Sequence, residues 1–297
     1  MSTFGRFSVA MVTPFHEDGS MDFESTSRLA KHLVADGCDA IVISGTTGEA
    51  PTTHLEEKIE LLETVRDAVG PDIKLIAGVS SNDTVHSLSM TRASTRAGAD
   101  GLLVTAPYYN RPSPDGIYAH FQAVHEETDL PIMVYDIPGR TGVAITDDTF
   151  DRLAKLERIK GVKDATGNVA QGIARMRRTG LEWYSGDDGL NFFFMAAGAS
   201  GVISVVGHIE GKRISAMLDA LEVGDLRKAR KLDAEIAASN RVIMGSGQGA
   251  TFAKEAVFAL GIIESPHPRL PLVKPRDAEI ADIRALLKTQ DLQEKEG

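Results

Sequence analysis

Cysteine is almost absent from the sequence, in which Cys38 is the one thiol among 297 residues. A single cysteine cannot form an intrachain disulfide, so the composition is typical of proteins kept in a reducing compartment. The N-terminal segment MSTFGRFSVAMVTPF lacks the basic region, continuous apolar stretch and cleavage site of a secretory signal. We therefore expect a cytoplasmic protein.

Long apolar runs and an excess of basic charge are also lacking. The apolar runs are far shorter than the roughly 20 residues of a membrane-spanning helix. The 32 basic side chains are outnumbered by 42 acidic ones, which gives a formal net charge of −10. This charge opposes binding to nucleic-acid phosphates and to anionic membranes. We expect neither of these as a partner.

Histidines in metal-ligand spacing are missing as well. The eight histidines are scattered and include no His-x-x-x-His pair, the spacing that places two imidazoles on one helix face for zinc. Asp187 and Asp188 are adjacent carboxylates, but we interpret Asp188 as the N-cap of the following helix. The sequence predicts no metal site. Its 42% apolar and 25% charged composition is that of a folded globular protein.

Short apolar runs rich in β-branched residues are what the sequence does contain. They predict eight strands: Phe7–Val12, Ala40–Ile43, Ile73–Ala77, Gly101–Thr105, Ile132–Tyr135, Ile159–Lys163, Trp183–Ser185 and Val202–Val205. Most runs are continuous rather than alternating apolar and polar. This pattern favours strands covered on both faces, as in a parallel sheet.

Segments with helical spacing of apolar residues lie between these strands. They predict helices over Phe23–Val34, Leu55–Val69, Thr84–Ala97, Ile117–His125, Asp147–Leu156 and Asn191–Ala197. Strands that alternate with helices in this way, without an early Gly-x-Gly-x-x-Gly turn, favour a closed (β/α)8 TIM barrel over a doubly wound open sheet. The expected fold class is therefore α/β.

The strand pattern ends before about residue 212. Helical patterns follow over Ile214–Leu221, Asp225–Met244, Thr251–Leu260 and Ala278–Leu287. We predict a catalytic barrel over residues 1–222 and a C-terminal helical extension over residues 223–297. Within the extension, Gly245, Gly247 and Gly249 are expected to separate two helices, because glycine is a poor helix former.

Lys163 ends the sixth predicted strand, where active-site residues of such barrels lie. A lysine inside the barrel mouth is partly desolvated, which lowers its pKa and yields a neutral amine able to attack a carbonyl group. The alternative is an ordinary ion pair with Asp164 or Glu157. The position of Lys163 alone does not favour the nucleophile over the ion pair.

Four further side chains follow strands at the same end. The Tyr135 phenol could transfer a proton, Thr46 and Thr47 lie in a Gly-flanked turn that could bind a carboxylate, and Arg140 could hold a second carboxylate. Each residue also has a structural interpretation: a packed tyrosine, an ordinary turn and a surface ion pair. None of these signals is specific alone.

Taken together in order and spacing, seven motifs resemble the dihydrodipicolinate synthases, within the N-acetylneuraminate lyase group of class I pyruvate aldolases. The motifs are Thr13-Pro14-Phe15, Gly45-Thr46-Thr47-Gly48-Glu49, Pro107-Tyr108-Tyr109-Asn110-Arg111-Pro112, Tyr135-Asp136-Ile137-Pro138-Gly139-Arg140-Thr141, Gly161-Val162-Lys163-Asp164-Ala165-Thr166-Gly167, Ser185-Gly186-Asp187-Asp188 and Gly201-Val202-Ile203-Ser204-Val205. The resemblance runs from about Phe7 to Pro275.

This resemblance implies catalytic roles for four residues. Lys163 would form an imine with pyruvate, and Tyr135 would donate and accept protons. Thr46 and Tyr109 would complete a hydroxyl relay, with Tyr109 reaching the active site of a neighbouring subunit. A homo-oligomer follows, and the family pattern implies a tetramer built as a dimer of dimers.

The resemblance also implies the substrates, pyruvate and L-aspartate 4-semialdehyde, and no cofactor. Thr47 and the Ile203 backbone would hold the carboxylate of pyruvate, Arg140 that of the semialdehyde, and Gly186 would also contact substrate. Asp136, where many synthases carry asparagine, departs from the pattern beside Arg140.

Three other functions stay open on the sequence. A related pyruvate-dependent aldolase or dehydratase would act on a sugar acid, although sialic acid lyases lack an arginine at the position of Arg140. A metal-dependent class II aldolase needs a histidine-rich ligand set. A non-catalytic barrel would have no use for the assembled polar residues.

Feedback inhibition by lysine is a further trait of the family. Asn82 and Tyr108 match the inhibitor site, whereas Ala50-Pro51, Leu55, Lys58 and His86 replace its other residues. Lys58 and His86 disfavour a cationic ligand. We expect weak or absent inhibition.

Overall fold

A closed barrel of eight parallel strands forms the centre of the computed structural model, which describes residues 2–245 and 249–296. The strands are β1 Phe7–Ala10, β2 Ala40–Ile43, β3 Lys74–Gly78, β4 Gly101–Thr105, β5 Ile132–Asp136, β6 Ile159–Asp164, β7 Glu182–Ser185 and β8 Gly201–Ser204. Each strand pairs with its sequence neighbours, and β8 closes the barrel against β1. The predicted TIM barrel is confirmed.

Twelve helices are assigned within the described residues. They are α1 Phe23–Ala35, α2 Leu55–Val69, α3 Thr84–Arg96, α4 Pro114–Glu127, α5 Pro138–Thr141, α6 Asp147–Leu153, α7 Val169–Thr179, α8 Asn191–Ala196, α9 Gly207–Glu222, α10 Leu226–Met244, α11 Gly249–Ala259 and α12 Asp277–Glu296. None of these combines the length and apolar composition needed to cross a lipid bilayer.

Helix α7 is absent from the helices predicted from the sequence, although Val169, Ile173 and Met176 recur at helical spacing. It contains Gly172, which disfavours a helix. A Cβ atom at this position would lie 2.5 Å from Oδ2 of Asp164 and 2.7 Å from Cε1 of Phe194. Close packing against β6 and α8 therefore requires a glycine at this position.

The N-terminal end of the barrel is filled by aromatic side chains. Phe4 packs edge-to-face on Tyr184 at a centroid distance of 5.9 Å. A Cβ atom at Gly101 or Gly161 would lie 2.7 Å or 3.1 Å from the Phe4 ring, so these strands leave room for it. This aromatic packing closes the N-terminal end of the barrel interior.

The C-terminal extension packs against the barrel and reaches its mouth. Helix α10 lies against α9, and its Asn240 side chain approaches the short 3-10 turn Asp188–Leu190 that follows β7. The predicted helical extension is confirmed. The division between residues 222 and 223 stays a prediction, and Gly247 lies outside the described residues.

We predict that Gly78→Ala destabilises the barrel. The added Cβ would lie 2.1 Å from the Ser44 carbonyl oxygen, and relieving such a clash costs about 2 kcal/mol or more. We expect a thermal midpoint lower by roughly 5 °C at a fixed scan rate. Gly139→Ala is the control, because its Cβ meets nothing within 4 Å. Equal midpoints for both variants would contradict the prediction.

Candidate active site

Lys163 lies near the C-terminal end of β6, between two tyrosines on the neighbouring strands. The register pairs it with Tyr135 on β5 and with Tyr184 on β7. Its side chain is only 4% exposed, and its Nζ lies 4.3 Å from the centroid of the Tyr135 ring. The amine of Lys163 is therefore enclosed at the barrel mouth rather than solvated.

Asp164, one of the two ion-pair partners considered for Lys163, is engaged elsewhere. Its carboxylate accepts hydrogen bonds from the backbone N and Oγ1 of Thr166 at 3.0 and 2.8 Å and from Nε1 of Trp183 at 3.1 Å. Burial lowers the pKa of Lys163 to about 8, Asp188 acts in the opposite direction, and Arg140 lowers it further. At neutral pH about a tenth of the amine is then uncharged, which favours nucleophilic attack.

Asp188 has a different role from the N-cap that we predicted. The helix that follows, α8, has Leu190 at its N-cap and no side-chain cap. Asp187 caps the short 3-10 turn Asp188–Leu190, where it accepts from the backbone N of Gly189 at 3.0 Å. Asp188 is buried and accepts from Oγ of Ser204 at 2.5 Å and from the backbone amides of Val205 and Val206 at 2.8 and 2.9 Å. Four donors, with Nδ2 of Asn191 included, orient this carboxylate. It joins the β7 and β8 loops and is a negative charge near Lys163.

Tyr135 is a buried phenol whose hydroxyl is hydrogen-bonded to Thr46. Burial raises the pKa of Tyr135 to about 12, while Arg140 and the hydrogen bond with Thr46 lower it. The phenol is consequently protonated at neutral pH. It can donate a proton to a reacting atom beside Lys163 and recover one through Thr46.

The turn that carries Thr46 and Thr47 follows β2 directly. Thr47 is buried, and Oγ1 of Thr13, three residues after β1, donates to the Gly48 carbonyl at 2.7 Å. A Cβ atom at Gly48 would lie 3.0 Å from the Met11 carbonyl oxygen. The glycine therefore lets the turn approach the backbone after β1 closely.

Arg140 lies on the single helical turn α5. Its side chain is exposed, and its positive charge lowers the pKa of both Lys163 and Tyr135. The carboxylate of Asp136 pairs with Arg175 rather than with Arg140: its Oδ2 lies 3.2 Å from Nη1 of Arg175. Where many synthases carry asparagine, the aspartate at this position therefore forms a buried ion pair with Arg175 on α7.

A cavity of about 410 Å³ brings most of the predicted site residues together. Its lining contains Thr46, Thr47, Tyr135, Arg140, Lys163 and Gly186, together with Ile137, Ala165, Asp187, Val205, Asn240, Arg241, Met244 and Gly245. The last four belong to the C-terminal part of the chain, whose place at the barrel mouth no sequence pattern revealed. These four residues line the cavity because α10 packs over the barrel mouth.

Two predicted residues lie apart from this lining. Ile203 belongs to the apolar interior of the barrel, while Val205, two residues later, reaches the cavity. The side chain of Tyr109 is 87% exposed and its backbone has φ +72°. Tyr109 is not part of the cavity lining in the described chain.

One group of possible metal ligands occurs among the described residues. His16, Asp22 and Glu264 have ligand atoms within 4.8 Å of one another. None of the three lines the cavity that contains Lys163. The geometry around Lys163 is that of a desolvated amine, a protonated phenol and hydroxyl groups.

Comparison with known sequences identifies the family. The sequence model of the dihydrodipicolinate synthetase family matches residues 3–290. The chain belongs to this family. Among curated 4-hydroxy-tetrahydrodipicolinate synthases, that of Bifidobacterium longum (strain DJO10A) is 48% identical over 272 residues, covering 92% of this chain and 90% of the relative. That of Corynebacterium diphtheriae is 49% identical over 281 residues, covering 95% and 93%.

Solved dihydrodipicolinate synthases have the same fold. The enzyme from Bacillus anthracis has a TM-score of 0.92 at 38% identity, covering 97% of this chain and 99% of that one. The chloride-inhibited enzyme from Acinetobacter baumannii, complexed with pyruvate, has a TM-score of 0.90 at 35% identity, covering 95% and 97%. A monomeric dihydrodipicolinate synthase variant also matches, with a TM-score of 0.92 at 33% identity over 98% of both chains.

We predict that Gly186→Ala lowers the reactivity of Lys163. The new Cβ would lie 2.9 Å from Cγ and 3.0 Å from Cε of Lys163, so it would displace the amine. Misplacement of a reacting group by about 1 Å costs up to about 100-fold in rate. The measurement is reductive trapping of Lys163 by acetone and cyanoborohydride, followed by mass analysis of its peptide. Gly139→Ala is the matched control, and equal trapping rates would show that Gly186 gives no such space.

Proposed function

We propose that this protein is a 4-hydroxy-tetrahydrodipicolinate synthase, which condenses pyruvate with L-aspartate 4-semialdehyde in the diaminopimelate and lysine pathway. The observation that carries the proposal is the buried amine of Lys163, with a pKa of about 8, beside the phenol of Tyr135. Family membership and curated relatives at 48 and 49% identity support the same reaction.

Lys163 provides the covalent step. Its neutral Nζ attacks the ketone carbon of pyruvate, water leaves, and the resulting iminium withdraws electrons from the methyl group. Loss of a methyl proton gives an enamine, whose terminal carbon forms a bond to the aldehyde carbon of the semialdehyde. The amino group of that substrate then displaces Lys163 by transimination, which releases the enzyme and closes the ring.

Protons for these steps pass through Tyr135. A phenol protonated at neutral pH can protonate the hydroxyl group of the carbinolamine, which leaves as water, and the new alkoxide, and the phenolate that forms can accept a proton. Thr46, to which Tyr135 is hydrogen-bonded, is the second member of the relay. Tyr109 is the third, supplied by a neighbouring subunit.

The carboxylates of the two substrates are held by different groups. Thr47 in its Gly-flanked turn and the backbone at Ile203 hold pyruvate. The exposed guanidinium of Arg140 at the cavity edge binds the carboxylate of the semialdehyde through bidentate hydrogen bonds. Gly186 leaves room for the intermediate on Lys163.

The oligomeric state that we propose is a homotetramer, a dimer of dimers. Tyr109 supports it, because an apolar ring that is 87% exposed suits contact with another subunit. The molar mass in solution tests the proposal.

The cytoplasm is the compartment that we propose. Cys38 is buried, and burial raises the pKa of its thiol to about 12. A thiol of this kind is inert as a nucleophile and needs no disulfide partner.

The test of function is turnover of pyruvate with L-aspartate 4-semialdehyde. Lys163→Ala should lower kcat by at least about 1,000-fold, because removing the nucleophile removes the covalent route. Borohydride should inactivate the wild type only with pyruvate present and add mass at Lys163. Lys163→Arg, which keeps a cation, is the matched control and should show no added mass.

Two outcomes would contradict the proposed function. Undiminished activity of Lys163→Ala would exclude the imine mechanism. Trapping of pyruvate at Lys163 together with turnover of a sugar-acid aldehyde instead of the semialdehyde would assign the chain to another aldolase activity of the same group.

Lysine is proposed to inhibit this enzyme weakly or not at all. Nζ of Lys58 is buried and donates to the carbonyl oxygens of Ala50 and Thr53 at 2.7 and 2.8 Å. Lys58 and His86 line a second cavity of about 310 Å³ that also contains Tyr108. A resident ammonium group disfavours a second cation in the same cavity.

Titration of the enzyme with L-lysine checks this proposal. We expect half-maximal inhibition only above about 1 mM, a concentration that corresponds to a binding free energy of about −4 kcal/mol. L-glutamate at the same ionic strength is the control. Half-maximal inhibition at micromolar L-lysine would contradict the prediction.

A further inference from the structure

The turn that carries Thr46 and Thr47 begins and ends in a strained backbone conformation. Ser44 has φ +54° and Glu49 has φ +56°, values in the left-handed region that side-chain-bearing residues disfavour. Such conformations persist where surrounding contacts hold them, and they are common at ligand sites. The contacts of Glu49 therefore bear on the substrate-binding turn.

The carboxylate of Glu49 is held from the C-terminal extension. Oε1 accepts from Nζ of Lys254, 205 residues later in the chain. Oε2 accepts from the backbone N of Arg269 at 2.9 Å, 220 residues later. Both oxygens of one buried carboxylate are thus bound by donors outside the barrel.

Lys254 on α11 is fully buried. Its Nζ also donates to the His267 carbonyl at 3.1 Å and lies 4.3 Å from the centroid of the Phe15 ring. Removing one member of a buried ion pair leaves an uncompensated charge, which is strongly unfavourable. Lys254 and Glu49 consequently fix each other's positions.

The Arg269 side chain binds three residues near the Lys254–Glu49 ion pair. Its guanidinium bonds both oxygens of Glu57, at 2.6 and 2.8 Å. It also donates to the carbonyl oxygens of Gly19 and Thr52 at 2.8 Å each. Its Cζ lies 4.4 Å from the Phe15 ring, so that ring lies near both cations.

We propose that Lys254 and Arg269 are positioning residues for catalysis. Through Glu49 they hold the Thr46-Thr47 turn in the geometry that receives a carboxylate and keeps Thr46 bonded to Tyr135. The inference rests on the proposed function for the role of Thr47. It gives the C-terminal extension an indirect part in substrate binding, through Glu49.

The kinetic test compares Lys254→Met and Lys254→Arg with the wild type. Lys254→Met leaves Glu49 without its cation, and we expect the KM for pyruvate to rise about tenfold or more with a smaller change in kcat. Lys254→Arg keeps the charge and should recover most of the wild-type KM. Arg269→Met, which keeps the backbone donor, should raise the KM less than Lys254→Met does.

Arg284→Met is the matched control within the extension. Arg284 pairs at 4.0 Å with Glu255, the residue after Lys254 on α11. This substitution removes an ion pair of α11 that does not involve Glu49. We expect an unchanged KM for pyruvate.

Amide hydrogen exchange provides a readout without substrate. In Lys254→Met the amides of residues 45–50 should exchange faster than in the wild type, while the strands of the barrel keep their protection. Unchanged exchange in this segment would overturn the inference even if pyruvate proves not to be the substrate. A lower thermal midpoint with wild-type KM and wild-type exchange would also overturn it, because Lys254 would then serve stability alone.

Discussion

Desolvation of one amine is the constraint on which the site depends. Lys163 lies at the end of a strand whose neighbours on both sides are tyrosines, in a barrel whose far end is closed by Phe4 and Tyr184. Its surroundings hold the pKa at about 8, because transfer from water disfavours the ammonium form. Asp188 moderates this effect, since its buried carboxylate favours the cation.

The polar groups around that amine are held by a network that joins several loops. Asp188 binds the backbone amides that follow β8, Thr13 binds the turn after β2, and Glu49 binds the extension. A fixed arrangement of donors matters for the proposed reaction, because donors held in place stabilise charge that develops on a reacting oxygen. Helix α10 completes the cavity by placing Asn240, Arg241 and Met244 over it.

Much of the fold and site could be predicted from local patterns. Continuous apolar runs indicated all eight strands, and the polar residues after them indicated Thr46, Tyr135, Arg140 and Lys163. The misses have local causes. Gly172, which close packing requires, lowers the helix propensity of α7, and α5 is only four residues long, too short for helical periodicity to show.

The sequence by itself determined the barrel and the reactive residue types, because apolar periodicity and strand ends are local properties of the chain. The tertiary structure decided which charges meet. Asp188 was expected to cap a helix but binds the β8 loop, and Asp136 turns to Arg175. Lys254 meets Glu49 across 205 residues. Such pairings depend on how distant segments pack, which no local pattern records.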